Sequence, residues 1–85
     1  MPIIIRTKPF DADFLLLSQK EQKQVLKALS YLAGNPRQPS LQTHKIEDTV
    51  FIEAYANMDI RLIYERTSDT IVLRAVGHHD FLKNI

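Results

Sequence analysis

Three short strand-like runs separated by two three-residue polar turns occupy residues 50–76: VFIEAYA (50–56), NMD, IRLIYER (60–66), TSD and TIVLRAV (70–76). A parallel neighbour needs a crossover of a dozen or more residues, so runs joined this closely pair antiparallel, as a meander. The turns carry Asn, Asp and Ser, which bond their own backbone. The first run alternates in part. Val50, Ile52, Ala54 and Ala56 share one side, and Phe51, Glu53 and Tyr55 share the other.

The cover for that sheet lies upstream. Ser18 and Glu21 have the spacing of a capping box, in which each side chain satisfies the other's backbone N–H. Val25, Leu26, Leu29, Leu32 and Ala33 follow at helical spacing, while Lys20, Lys23 and Lys27 fall on the wet side. Gly34 and Pro36 then mark a stop. The spacing predicts a helix over 19–33. A shorter helix is expected over 10–18 with Asp11 as its N-cap, and a buried strand over PIIIRT (2–7), ended by Lys8-Pro9. Residues 35–48, with two prolines, read as a loop of the length that often carries function. The order is β-α-α-β-β-β, an α+β fold with a helical hairpin on one face of a small, mainly antiparallel sheet.

The 85 residues suit a single domain, 1–85, and 45% of them are hydrophobic. There is no cysteine, which excludes a disulfide framework and a thiolate metal site. Neither IIIR nor LLLS approaches the length of a membrane span, so a soluble, cytoplasmic protein is expected. Net charge is only +1, but residues 1–45 hold seven basic and three acidic residues while 46–85 hold four and seven. A polyanion would favour the first half.

The element order, the D-x-R-L-I-Y strand (Asp59 to Tyr64) and the GHHD cluster (Gly77 to Asp80) resemble the RelE/ParE superfamily of bacterial toxins. The resemblance implies the toxic half of a type II toxin–antitoxin pair, with a cognate antitoxin as partner, and an assembly that is a homodimer or a toxin–antitoxin hetero-oligomer. RelE-like members are metal-free endoribonucleases that cut mRNA, usually on the ribosome, and so inhibit translation. The ParE-like alternative inhibits DNA gyrase, and a catalytically inactive binding module is a further one. The RelE-like branch is favoured here, with RNA as substrate and no cofactor.

Metal-free RNA cleavage needs a base for the 2′-hydroxyl, an acid for the 5′-oxygen and a fixed cation beside the phosphate. The resemblance assigns the cation to Arg61 and the acid or base to His79. Asp80 is placed to orient a histidine, His78 is the alternative to His79, and Glu53 is a further candidate base. His44 and Lys45 in the long loop, Arg74 and Phe81 are candidate substrate contacts. The strand 50–56 lacks the lysines or arginines that some relatives carry there. Adjacent strand residues point to opposite faces, so His78 and His79 do not form a metal pair. Arg61 also has a structural reading, as the partner of Glu53 on the neighbouring strand.

Overall fold

The computed structural model describes residues 2–35 and 37–82, except for the side chains of Phe81 and Leu82. The elements are β1 (Ile3–Arg6), α1 (Lys8–Leu15), α2 (Gln19–Gly34), a 3-10 turn (Pro39–Leu41), β2 (His44–Lys45), β3 (Ile52–Tyr55), β4 (Ile60–Arg66), β5 (Thr70–His78) and α3 (His79–Leu82). One five-stranded sheet runs β1-β5-β4-β3-β2. The meander β3-β4-β5 is antiparallel, as its short turns require, and β1 joins β5 in parallel after the helical crossover. The Asn57 side chain closes the first turn by accepting from the N–H groups of Asp59 and Ile60, each at 2.7 Å.

Helix α1 starts earlier than the sequence suggested. Thr7, not Asp11, is its N-cap and accepts from the Phe10 N–H. The same hydroxyl donates to the Leu73 carbonyl at 2.8 Å, fixing the helix start against β5. Pro9 opens the helix rather than only ending the strand, because an N–H in the first turn has no helical partner to lose. Helix α2 begins with the expected capping box. Its buried stripe is Val25, Ala28 and Leu32, while Leu26 is exposed. Leu26 lies about 100° round the helix from Val25, which turns it away from the sheet.

The helices cover one face of the sheet. Phe10, Val25, Leu32 and Leu41 pack there against Ala54, Leu62, Tyr64 and Leu73. On the other face the described residues form a small apolar cluster of Ile63 and Ala75 with Ile46 and Phe51. This one-sidedness corrects the reading of PIIIRT as a buried strand. Ile4 is half-buried, whereas Ile3 and Ile5 are exposed on an edge strand.

The segment 35–48 is not a structureless loop. Its 3-10 turn drives Leu41 into the core. Gln42 follows in the left-handed region at φ 45°, a conformation that costs a non-glycine residue about 1–3 kcal/mol. The turn it makes delivers β2 to the edge of β3. Asp48, at φ 63°, folds the 46–51 segment back so that the Ile46 N–H donates to the Phe51 carbonyl at 2.9 Å. Strand β5 continues through Gly77 to His78, and the chain then turns directly into α3. No helix among the described residues is long and apolar enough to cross a membrane.

Candidate active site

The uncovered face of the sheet carries a polar cluster at its centre. Arg61 projects there from the start of β4, the central strand, paired with Tyr55 of β3 on one side and Gly77 of β5 on the other. The glycine sets no side chain beside the guanidinium, and the tyrosine supplies a ring beneath it, 3.7 Å from the Arg61 Cζ. Arg61 Nη2 donates to the Met58 carbonyl at 2.8 Å. Nη1 lies 3.5 Å from Glu53 Oε1. Nε has no hydrogen-bond partner among the described residues, and Arg61 is only 8% exposed. A buried donor left unsatisfied costs about 1–3 kcal/mol, so this cation is held at some expense to stability.

Glu53 is shared. The same Oε1 lies 3.3 Å from His44 Nε2, and the Glu53 side chain is 14% exposed against 53% for His44. His44 faces Glu53 because β2 pairs with β3 in the register His44↔Glu53. The other ring nitrogen of His44, Nδ1, lies 3.1 Å from the Gln42 carbonyl. An imidazole protonated on both nitrogens donates to both acceptors, and one protonated on Nδ1 alone donates to Gln42. The His44 ring also meets Tyr55 edge-on, with centroids 6.5 Å apart. A desolvated cation, a shared carboxylate and a solvent-facing imidazole thus stand in one line across β4, β3 and β2. Such a line can bind an anion and move a proton beside it.

The sequence-predicted residues divide around this cluster. Arg61, Glu53 and His44 come together. Lys45 does not, because the next residue in a strand points to the other face. Arg74 pairs with Glu65, both on the meander. The register slips between Ile63 and Tyr64, and Arg74 is the β5 residue left without a strand partner. His78 faces the helices, with Nε2 3.3 Å from Glu21 Oε2. Hydrogen bonding from Ser18, first its backbone N–H and then its hydroxyl, holds the Glu21 carboxyl below the ordinary carboxylate range, and His78 adds to this. His79 and Asp80 are exposed at the start of α3, two and three residues beyond the Gly77 that faces Arg61. The His79 backbone N–H donates to the Asp59 carbonyl at 2.8 Å, which ties the end of β5 to the start of β4. The side chain of Phe81 lies outside the described residues.

Sequence reasoning missed Tyr55 as a member of the cluster. Alternation had placed it on the face of Glu53, but only the register sets it opposite Arg61. Tyr64, two residues short of the end of the same β4, faces the helices instead, and burial pushes its phenol above the ordinary value. Among the described residues, no group of three or more His, Asp or Glu is placed to hold a metal ion.

Solved structures with the same architecture exist. YafQ from E. coli strain BL21(DE3) superposes with a TM-score of 0.81 at 18% identity, covering 96% of this chain and 98% of its own. A metal-bound toxin from Helicobacter pylori gives 0.80 at 27% identity, covering 96% and 99%. RelE in the RelB–RelE antitoxin–toxin complex from Methanococcus jannaschii gives 0.77 at 18% identity, covering 94% and 95%. The chain has the fold of the RelE-like toxins. The correspondence spans nearly the whole length of each partner, so the RelE-like fold accounts for both the helical hairpin and the mixed sheet. No protein-family model and no curated protein matches the chain in sequence.

Proposed function

We propose that this chain is the toxin of a type II toxin–antitoxin pair, acting in the cytoplasm as an endoribonuclease on mRNA and held silent by a cognate antitoxin. The observation that carries the reading is the Arg61–Glu53–His44 line on the uncovered face of a RelE-like sheet. The fold neighbours support the partner. YafQ is known in a DinJ–YafQ toxin–antitoxin complex and RelE in RelB–RelE complexes.

In the proposed reaction a base takes the proton of the ribose 2′-hydroxyl, and the resulting oxygen attacks the adjacent phosphorus. The bond from phosphorus to the 5′-oxygen breaks, and an acid protonates that oxygen. The products are a 2′,3′-cyclic phosphate and a 5′-hydroxyl, with no oxidant, reductant or water consumed. His44 serves as the base: Glu53 accepts from its Nε2–H and so aligns the ring, and Nδ1 takes the proton once substrate displaces the Gln42 carbonyl from it, the ring being the most exposed part of the line. His79 serves as the acid. It stands two residues past Gly77, as the exposed first residue of α3. Arg61 offsets the charge that builds on the phosphate. It does so from beneath the surface, where low dielectric strengthens its field.

The test is cleavage of a defined mRNA, with and without ribosomes, followed by detection of cyclic-phosphate ends. Arg61→Gln and His44→Gln each lower the rate at least about 100-fold while leaving the circular dichroism spectrum unchanged. Intact RNA in both settings, with folded wild-type protein, sinks the reading. Co-expression with the antitoxin restores growth to cells that the wild-type chain arrests.

A further inference from the structure

A second polar feature lies at the β2 edge and shares only His44 with the cluster above. A cleft of about 710 Å³ opens on the side of β2, β3 and β4 opposite that cluster. Its volume falls within the range of roughly 300–1,000 Å³ usual for ligand clefts. Arg37, Lys45 and Arg66 line it, and among the described residues no carboxylate does. All three cations are exposed, and none enters an ion pair among the described residues. By contrast, Arg6, Arg61 and Arg74 each face a carboxylate. Unpaired cations around an apolar floor of Val50 and Ile52 suit a ligand that carries both phosphates and flat rings.

The cleft also connects to the proposed site. His44 lines it and pairs with Glu53 on the other face, because β2 is a two-residue edge strand that a ligand can cross. We infer that this cleft binds the phosphodiester backbone of single-stranded RNA flanking the cleaved bond, with Arg37, Lys45 and Arg66 on successive phosphates. The inference rests on the endoribonuclease reading for the position of the cleaved bond. An acidic peptide fits less well. A peptide held by strand addition needs a longer edge than the two residues of β2, and the continuity with His44 would serve it no purpose.

The experiment uses the full chain and a 12-nucleotide RNA methylated at every 2′-oxygen, which cannot be cut by 2′-oxygen attack. Its affinity is measured by fluorescence anisotropy across a salt series. Each phosphate contact contributes a slope of about 0.7 in log affinity against log salt for single strands. The triple variant Arg37→Gln/Lys45→Gln/Arg66→Gln therefore lowers the slope by about 2. It weakens the 12-mer about ten-fold more than a trinucleotide. An unchanged slope, or equal weakening of both lengths, overturns the inference. So does a polyglutamate peptide whose binding needs the three cations when RNA binding does not. If the wild type binds the 12-mer through these cations yet leaves unmodified mRNA intact, the cleft stands and the nuclease reading falls.

Discussion

Removing the charge of Glu53 tests whether the cluster is a coupled unit or a chance arrangement of side chains. Arg61 makes three contacts, two of which a methionine cannot replace. The bond to the Met58 carbonyl at 2.8 Å involves a charged donor and is worth about 1.5–3 kcal/mol. The stack on Tyr55 adds about 0.5–2 kcal/mol. The approach to Glu53 at 3.5 Å is longer than a charge-assisted hydrogen bond, so its coupling falls near about 1 kcal/mol rather than the 3–5 kcal/mol for breaking a tight buried pair. Arg61→Met recovers part of the ring contact through its apolar side chain and removes the buried Nε donor that has no partner among the described residues, a relief of about 1–3 kcal/mol. Its net cost is therefore about 3 kcal/mol, and that of Glu53→Gln about 1 kcal/mol. For a domain this size, 1 kcal/mol moves Tm by about 4–8 °C, so the two variants melt about 12–24 and 4–8 °C below wild type. The double variant costs about 3 kcal/mol rather than 4, because the second change removes an interaction already lost. Urea unfolding followed by far-ultraviolet circular dichroism measures all four corners of the cycle. Additivity within about 0.3 kcal/mol would show that Glu53 and Arg61 act independently, and the shared-carboxylate picture would fail.

Other expectations follow from the same contacts. Leu32 is fully buried in α2, so Leu32→Ala costs about 2–5 kcal/mol, enough to unfold a marginal domain; a drop in Tm of less than about 8 °C would mean the helix packs loosely. Glu21 has its carboxyl held below the ordinary carboxylate value of 4.5, so its charge stabilises the fold above that pH and the benefit is lost as pH falls through the lower, folded value. Glu21→Gln is therefore less stable than wild type at pH 7, and the two melting curves converge as pH falls through the folded value. Tyr64 runs the other way, because burial raises its phenol above 10.0. Its contribution is intact below that pH and lost as pH rises further. Wild type therefore loses stability above pH 10 more steeply than Tyr64→Phe, which pH-dependent denaturant midpoints will show.

Residues whose role follows from their own side chain were the legible ones. The meander, the capping box and the helical hairpin announce themselves through period, turn chemistry and caps, and each lies within about three residues of its expected bounds. What failed depended on which surface another element covers. Leu26 and the IIIR run are apolar enough for a core, but only one side of each meets a partner. Asp11 has the chemistry of an N-cap, yet Thr7 holds that place because its hydroxyl also reaches β5 across 66 positions of sequence.

The site followed the same rule with a sharper consequence. Arg61 and Glu53 were identifiable as neighbours, because alternation and two short turns fix which residues of β3 and β4 share a face. His44 could be named only as a loop histidine, since the edge strand that carries it has two residues and no periodicity to read. Its place is set by Gln42 in a left-handed conformation, which no local propensity of glutamine predicts. Once β2 is seated, alternation acts again. It sends His44 to the Arg61 face and Lys45 to the cleft on the other. Two adjacent residues of one loop, indistinguishable in the sequence as substrate contacts, are thereby divided between the two faces of the sheet. The GHHD cluster divides in the same way. His78 completes β5 and turns to Glu21 beneath the sheet, whereas His79 begins a helix at the rim. The residue with the more regular strand geometry is the one drawn into structural work. The one released by the end of the strand is free for chemistry.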